Sequence, residues 1–201
     1  MKSIFAGRAH KYEKRLSYPI VSAYMKNRDK HIRNFLSRGK GSLLDLGCGT
    51  GYYLNGAAKD FSKITAVDSS SQMLKIFSKN NSPAKISIFR ADAMKFSSRK
   101  KFDNVICIGL LNYFSEKAAQ RLIEKIYFFA KIGGRILLAA PSSERLSGHA
   151  YKAIWRARGT KINLCSKRFL LEKMRAAGFK KIKIKNAKDF PTFHIILEAS
   201  K

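Results

Sequence analysis

Acidic residues and cysteines are scarce in this sequence of 201 residues. Asp and Glu together number 13 against 41 Lys and Arg, so the formal net charge is +28 at pH 7. The three cysteines, Cys48, Cys107 and Cys165, are widely spaced and belong to no CxxC motif or Cys/His cluster. This spacing favours neither a zinc or other metal site nor a disulfide framework, and it fits a reducing cytoplasm.

Long apolar runs are also missing from the sequence. No stretch approaches the roughly 20 consecutive apolar residues of a membrane-spanning helix, and the first residues lack the apolar run of a signal peptide. We therefore expect a soluble, cytoplasmic protein that is not exported. With 45% apolar residues the chain can bury one full-sized core but not two, which predicts a single domain over residues 1–201.

The positive charge is concentrated in two parts of the chain. Residues 1–41 carry 11 Lys and Arg against 2 Asp and Glu, and residues 145–188 carry 14 against 1. The remaining residues are closer to balance, with 16 against 10. Such a distribution indicates an anionic partner, either RNA or an anionic membrane surface, or it reflects a lysine-rich background; it says nothing about the fold.

Short apolar runs alternate with helical patterns through the middle of the chain. Five such runs predict strands, at residues 43–46, 64–67, 86–89, 105–108 and 136–139. Because these runs lack a polar alternation, they are typical of a mostly parallel sheet with helices on both faces. Two further runs, at residues 181–185 and 193–197, predict closing strands. The fold class that follows is α/β and doubly wound.

Local signals also predict where several helices begin and end. Ser69 and Gln72 have the spacing of a capping box at a helix start, and Gly133 with Gly134 predicts the end of a later helix. In the basic stretch after the fifth strand, four apolar residues are predicted to share one helical face. They are Leu146, Ala150, Ile154 and Trp155.

The most informative segment is the glycine-rich turn after the first predicted strand. Gly47, Gly49 and Gly51 allow positive φ angles and let a ligand approach the backbone without meeting a Cβ. A nicotinamide dinucleotide fingerprint needs a glycine where Tyr52 stands, which argues against an oxidoreductase of that type. Asp45 places a carboxylate at the end of the strand, which suits a ligand with an ammonium group better than one with a pyrophosphate.

Residues 43–179 resemble the class I S-adenosylmethionine-dependent methyltransferases, in particular their small-molecule branch. DLGCGTG at 45–51 matches the family's first motif, AVDSS at 66–70 the second, and ADA at 91–93 the third. FDNVICIGLLNYF at 102–114 matches the motif of the fourth strand, and IGGRILL at 132–138 the turn into the fifth. The resemblance implies a Rossmann-like fold whose seven-stranded sheet has an antiparallel last strand.

The same resemblance implies a cofactor, S-adenosyl-L-methionine, with S-adenosyl-L-homocysteine as the product. In this family the glycine loop wraps the methionine end, the second motif's acid (Asp68) binds the ribose hydroxyls, and the third motif's acid (Asp92) with its neighbour holds the adenine amino group. Ten residues are therefore predicted to bind the cofactor: Asp45, Gly47, Cys48, Gly49, Gly51, Asp68, Ser69, Asp92, Ala93 and Ile108. Asp68 as a helix cap and Asp92 as an ordinary turn residue are the structural alternatives.

The predicted domain is then divided into four segments. Residues 1–41 are a basic helical arm packed on the sheet, and residues 42–140 are the cofactor-binding core. Residues 141–165 are a basic insertion on the acceptor side, and residues 166–201 supply a helix and two strands.

Catalytic residues are harder to predict, because a sulfonium is already an activated methyl donor. Orientation can supply much of the acceleration, and a general base helps only where the acceptor must lose a proton. The candidates for acceptor-side groups are Tyr113, His149 and Tyr151. Cys48 and Cys107 are interpreted as inert buried thiols and His194 as a structural histidine.

The range of possible methyl acceptors is narrowed only by sequence signatures that are missing. The segment after the fourth strand lacks the Asn/Asp-Pro-Pro-aromatic signature of exocyclic-amine methylation, and Cys107 lies inside the strand, where it does not fit cytosine-carbon methylation. A small molecule or a lipid head group is favoured. An rRNA or tRNA methyltransferase that uses its basic flanks, and a non-catalytic S-adenosylmethionine-binding protein, are the alternatives.

Overall fold

The computed structural model describes residues 19–81, 83–185 and 194–201. The predicted arm before residue 19 and the first residue of the last predicted strand, Phe193, lie outside them. The helices are α1 (Pro19–Ser37), α2 (Ser71–Asn80), α3 (Glu116–Phe129), α4 (Leu146–Ala157) and α5 (Lys167–Ala176). The strands are β1 (Ser42–Leu46), β2 (Lys63–Asp68), β3 (Ile86–Arg90), β4 (Phe102–Ile108), β5 (Ala130–Pro141), β6 (Lys180–Ile184) and β7 (His194–Ser200).

The strands form one seven-stranded sheet in the order β3-β2-β1-β4-β5-β7-β6. Strands β1 to β5 pair in parallel, whereas β7 is antiparallel to both β5 and β6. The predicted α/β class, the mostly parallel seven-stranded sheet and its antiparallel last strand are confirmed. No helix among the described residues is long and apolar enough to cross a bilayer.

Successive strand residues bury their side chains on opposite faces of the sheet. Leu44, Cys107 and Leu138 belong to the apolar cluster that α3 and α5 cover. Leu43 and Ile106 belong to the cluster covered by α1 and α2. Because helices cover both faces of the inner strands β1, β2, β4 and β5, these strands have no polar face, which explains their continuous apolar runs. The edge strands β3 and β6 keep exposed polar residues.

The start of α2 differs from the prediction. Its N-cap is Ser70 and not Ser69, because the Ser70 hydroxyl accepts a hydrogen bond from the Met73 amide at 3.3 Å. The Asp68 carboxylate accepts a hydrogen bond from the Ser70 amide at 2.8 Å, and this bond fixes the turn from β2 into the helix. The predicted capping box is therefore wrong by one residue.

The predicted end of α3 at Gly133 and Gly134 is also wrong. The helix ends at Phe129, and β5 begins at the next residue. Gly133 has a φ of +75°, and a Cβ on Gly134 would lie 2.8 Å from the Lys131 carbonyl oxygen. The two glycines thus serve the irregular start of β5, where the pairing with β4 shifts register.

The predicted apolar face of α4 is wrong in one member. Trp155 is 6% exposed, whereas Leu146 is 90% exposed. Nine residues separate them, which is two and a half helical turns, so the two side chains lie on opposite sides of α4.

The carboxyl ends of β1 to β5 lie along one edge of the sheet. His194, the first residue of β7, pairs with Pro141 at the end of β5 and therefore lies at the same edge. β1 is flanked by β2 on one side and β4 on the other, so the strand order reverses between β1 and β4. In doubly wound sheets ligands bind in the crevice at this switch point, which makes this carboxyl edge the place to look for a site.

Candidate active site

The glycine loop after β1 is tied to the neighbouring strand by its backbone. The amides of Gly47 and Cys48 both donate to the Val67 carbonyl oxygen, at 2.8 and 3.1 Å. Gly47, Gly49 and Gly51 have φ angles of +80°, +55° and +74°, which glycine adopts far more readily than other residues. The turn at the carboxyl end of β1 therefore depends on glycine at all three positions.

Gly49 and Gly51 have different surroundings. A Cβ on Gly51 would lie 2.6 Å from Cδ2 of Phe77, whereas a Cβ on Gly49 would have no atom within 4 Å. Gly51 is thus confined by α2. Gly49 borders open space, which fits the close backbone approach of a cofactor.

We expect Gly51→Ala mainly to lower stability and Gly49→Ala mainly to weaken cofactor binding. Both variants carry the positive-φ penalty, roughly 1–2 kcal/mol, and Gly51→Ala adds overpacking of roughly 1–3 kcal/mol. Urea unfolding should show the larger stability loss for Gly51→Ala, while S-adenosylmethionine titration should show weakened binding in the still-folded Gly49→Ala. Equal losses of stability would mean that Gly49 is confined in the same way as Gly51.

Two carboxylates flank this loop. Asp45 is 4% exposed, and burial, followed by the charge of Asp68, raises its pKa to about 8. Among the described residues no group hydrogen-bonds to its carboxyl. A buried carboxyl without a partner ionises readily only when a cation comes close, which fits the ammonium group of a methionine moiety.

Asp68, at the end of β2, holds the loop in place. Its carboxylate accepts hydrogen bonds from the amides of Gly49 at 3.0 Å and Ser70 at 2.8 Å. Burial raises the pKa of Asp68, and the amides of Ser70, Gly49 and Ser69 partly offset that rise. The residue predicted to bind ribose hydroxyls therefore also joins the glycine loop to the start of α2.

Asp92 and Ala93 follow β3 at the same edge. The Ala91 amide donates to the Asp68 carbonyl oxygen at 3.0 Å, which brings this turn beside the end of β2. The Asp92 carboxylate accepts a hydrogen bond from the Met94 amide at 2.8 Å, so Asp92 stabilises its own turn whatever else it binds. Ala93 is buried.

The remaining predicted cofactor residues lie beside the loop. Ile108 ends β4, whose Ile106 pairs with Asp45 of β1. Burial raises the pKa of both the Cys48 and the Cys107 thiols. Neither thiol forms a thiolate readily in this setting, which supports the interpretation of both as inert.

A second group of residues at the carboxyl edge was missed by the sequence analysis. The hydroxyls of Tyr52 and Tyr53 donate to the two carboxylate oxygens of Asp29 in α1, at 2.9 and 2.6 Å. Arg28 is buried beside them, donates to the Asp29 carboxylate, and places Nη1 3.3 Å from Nε2 of His194. These contacts join α1, the end of the glycine loop and the start of β7.

The group extends to α4. The Tyr151 ring lies 6.3 Å from that of His194 and 6.0 Å from that of Trp155, measured between centroids. Burial, followed by the Arg28 charge, lowers the pKa of His194 well below its usual value, so its imidazole is neutral. We call these residues the edge cluster: Arg28, Asp29, Tyr52, Tyr53, Tyr151, Trp155 and His194.

The three acceptor-side candidates fall in different places. Tyr151 lies in the edge cluster, and Tyr113 is half-buried in the short helical turn after β4. His149 is exposed on α4, with Nε2 2.9 Å from the Ser143 carbonyl oxygen. Since that carbonyl can only accept, Nε2 carries a proton there. Among the described residues, ring contacts therefore connect Tyr151, and not His149, to the edge cluster.

The tyrosine contacts to Asp29 are expected to stabilise the fold. Tyr53→Phe removes a hydroxyl that donates to a largely buried carboxylate, which should lower the free energy of unfolding by roughly 1.5–3 kcal/mol. In an Asp29→Asn background the same change should cost less, which urea unfolding of the double-mutant cycle measures. Simple additivity would show that the two groups do not interact.

Known proteins are similar to part of this sequence. A family model described as a methyltransferase domain matches residues 43–134, from β1 into β5. A malonyl-[acyl-carrier protein] O-methyltransferase of Priestia megaterium is 31% identical over 100 residues, which are 49% of this chain and 36% of that protein. The chain thus spans little more than a third of that relative's length.

Solved structures share the fold over nearly the whole chain. A magnesium protoporphyrin IX methyltransferase of Synechocystis with bound SAH has a TM-score of 0.76 at 16% identity, covering 98% of this chain and 96% of its own. The N-methyltransferase NodS of Bradyrhizobium japonicum, in complex with S-adenosyl-l-homocysteine, has a TM-score of 0.69 at 17% identity and covers 93% of this chain and 90% of its own. Identities this low show the fold alone.

Proposed function

We propose that this chain, whose residues 43–134 match a methyltransferase-domain family model, is a class I S-adenosylmethionine-dependent methyltransferase that transfers a methyl group to a small-molecule or lipid acceptor. One observation carries the proposal. The glycine loop with its two buried acids, Asp45 and Asp68, lies at the switch point of the sheet. Tyr52 and Tyr53 connect that loop directly to the edge cluster.

The cofactor residues have distinct tasks in this proposal. Asp45 receives the ammonium group, Asp68 the ribose hydroxyls, and Asp92 with Ala93 the adenine amino group. Gly47, Gly49 and Gly51 would let the backbone approach the methionine end, and Cys48, Ser69 and Ile108 would complete the binding site. When bound, S-adenosylmethionine supplies a methyl group already activated by its sulfonium.

The edge cluster is the proposed acceptor site. It lies at the carboxyl edge beside the glycine loop, and it combines a buried cation, Arg28, with two groups able to orient an acceptor, Tyr151 and His194. Orientation of this kind reaches effective molarities on the order of 10⁵–10⁸ M. The chain therefore needs no catalytic triad.

The neutral state of His194 limits the acceptor chemistry. A histidine whose pKa is far below its usual value is a weak proton acceptor, so it contributes little as a general base. We infer that His194 orients the acceptor and does not take up its proton. One relative is named as an O-methyltransferase, which agrees with an oxygen acceptor.

Incubation with methyl-labelled S-adenosylmethionine and fractionated cell extract tests the proposal. Label is expected in the small-molecule or lipid fraction, and Asp68→Ala should reduce it when the cofactor is limiting. Label confined to rRNA or tRNA would favour the RNA alternative. Cofactor binding without labelling of any fraction would favour a non-catalytic binding protein. A cytoplasmic location stays a prediction from the sequence.

A further inference from the structure

α4 presents an apolar stripe to solvent. Leu146 is 90% exposed and Ile154 is 48% exposed, and exposed alanines lie along the same side of the helix. The stripe consists of Leu146, Ala150, Ala153, Ile154 and Ala157. Their spacings from Leu146 are 4, 7, 8 and 11 residues, which places all five on one helical face.

This stripe is not the face by which α4 packs on the protein. Gly148 faces the body of the fold, because a Cβ there would collide with the Ser142 carbonyl oxygen. Trp155 is buried, and Tyr151 is half-buried against His194. The helix is therefore held on its other side, and its apolar stripe faces outward.

Positive charge surrounds the stripe. Arg156 lies beside the stripe, Lys152 lies on the flank of α4 between the stripe and the buried side, and Arg145, Arg158 and Lys161 lie near the ends of the helix. No acidic residue occurs from position 145 to position 171. Within the described residues, none of these five cations takes part in an ion pair. The result is a helix face with apolar and cationic groups side by side and no neutralising acid.

We propose that this face docks on an anionic lipid membrane surface. Interfacial helices bury an apolar stripe at the boundary between headgroups and acyl chains while Lys and Arg contact anionic headgroups, and α4 has both features. RNA is less well matched, because stacking on bases needs exposed aromatic rings and those of α4 face inward. A second copy of the chain would bring the same five cations against each other.

Docking would place the carboxyl edge of the sheet close to the lipid surface. The buried side of α4 carries Tyr151, which contacts His194 in the proposed acceptor site. This step rests on the proposed function. If α4 lies on the membrane, the methyl acceptor is an amphiphilic molecule that reaches the edge cluster from the lipid surface. Docking itself is measurable without turnover.

Flotation of the full chain with lipid vesicles tests the proposal. Binding is expected to vesicles of phosphatidylcholine with phosphatidylglycerol, to weaken with salt, and to be absent with phosphatidylcholine alone. Leu146→Asp with Ile154→Asp should abolish binding. Ile132→Asp is the matched control, because Ile132 is 94% exposed at the start of β5, on the opposite edge of the sheet.

The contribution of the cations to vesicle binding is tested by a triple variant, Lys152→Gln with Arg156→Gln and Arg158→Gln. Each neutralised cation should weaken partitioning about fivefold at low salt, so the triple variant should bind about a hundredfold more weakly. The matched control replaces three exposed lysines elsewhere, Lys63, Lys75 and Lys79, with Gln.

Three results would overturn the docking proposal: equal effects of the α4 and control variants, equal binding to neutral vesicles, or RNA binding without vesicle binding. S-adenosylmethionine affinity, measured on the same variants, should be unchanged. A chain that binds vesicles through α4 but never binds the cofactor would refute the proposed function and leave docking intact. The reverse pattern would refute docking alone.

Discussion

Asp45→Asn is expected to stabilise the ligand-free protein above about pH 6 and to weaken its binding of S-adenosylmethionine. The pKa of Asp45 is about 8 in the folded chain against an ordinary value of 3.8. The folded state therefore holds a proton that the unfolded state loses, so the stability contributed by Asp45 is present below about pH 4 and lost as the pH rises to 8. The slope approaches roughly 1.4 kcal/mol per pH unit in that window.

Urea unfolding at a series of pH values measures this effect. The difference in unfolding free energy between Asp45→Asn and the parent chain should grow from pH 5 to pH 8 and level off above it. A constant difference would show that Asp45 is ionised throughout.

The same carboxyl should link cofactor binding to proton release. An ammonium group beside Asp45 favours the carboxylate, so binding at pH 7 should release most of one proton from this residue. Calorimetry in buffers of different ionisation enthalpy measures the number of protons released on binding. Comparison with Asp45→Asn separates the proton released by Asp45 from a proton released by the ligand's own amine. Identical proton release in both proteins would remove Asp45 from the proposed ammonium site.

Asp68→Ala is expected to lower S-adenosylmethionine affinity roughly 10- to 150-fold, since lost hydrogen bonds to a charged group cost roughly 1.5–3 kcal/mol. The variant should also lose some stability, because the amides of Gly49 and Ser70 lose their acceptor. Asp68→Asn, which keeps one carbonyl oxygen, is the control and should lose less of both. Normal cofactor binding with an early thermal transition would make Asp68 a structural residue only.

Sequence alone predicted the parts of the fold that depend on neighbouring residues. Four of the five parallel strands, β1, β2, β4 and β5, could be recognised because their apolar runs are buried on both faces; β3 is a partly exposed strand that was recognised from its short apolar run alone. The glycine loop and Asp45 could be placed because strand, turn and glycines are contiguous. The start of α2 was misplaced because the Asp68 carboxylate fixes the turn before it. The end of α3 was misplaced because the shifted pairing of β5 with β4 accounts for the two glycines.

The edge cluster could not be predicted in the same way. Arg28 and His194 are 166 positions apart, and Asp29 reaches Tyr52 across 23. The spacing of neighbouring residues cannot predict such long-range contacts. The only sequence feature that pointed to the edge cluster was the pair of tyrosines directly after Gly51. The buried face of α4 could not be predicted either, since its apolar residues predict an amphipathic helix without showing which face is buried.

The most direct measurement is calorimetric titration of the parent chain with S-adenosylmethionine, S-adenosylhomocysteine and NAD. Binding of the first two is expected with dissociation constants on the order of micromolar, with no heat from NAD. The glycine spacing, Asp45 and Asp68 together require that result. No heat with either methionine-derived ligand, alongside clear binding of NAD, would contradict it.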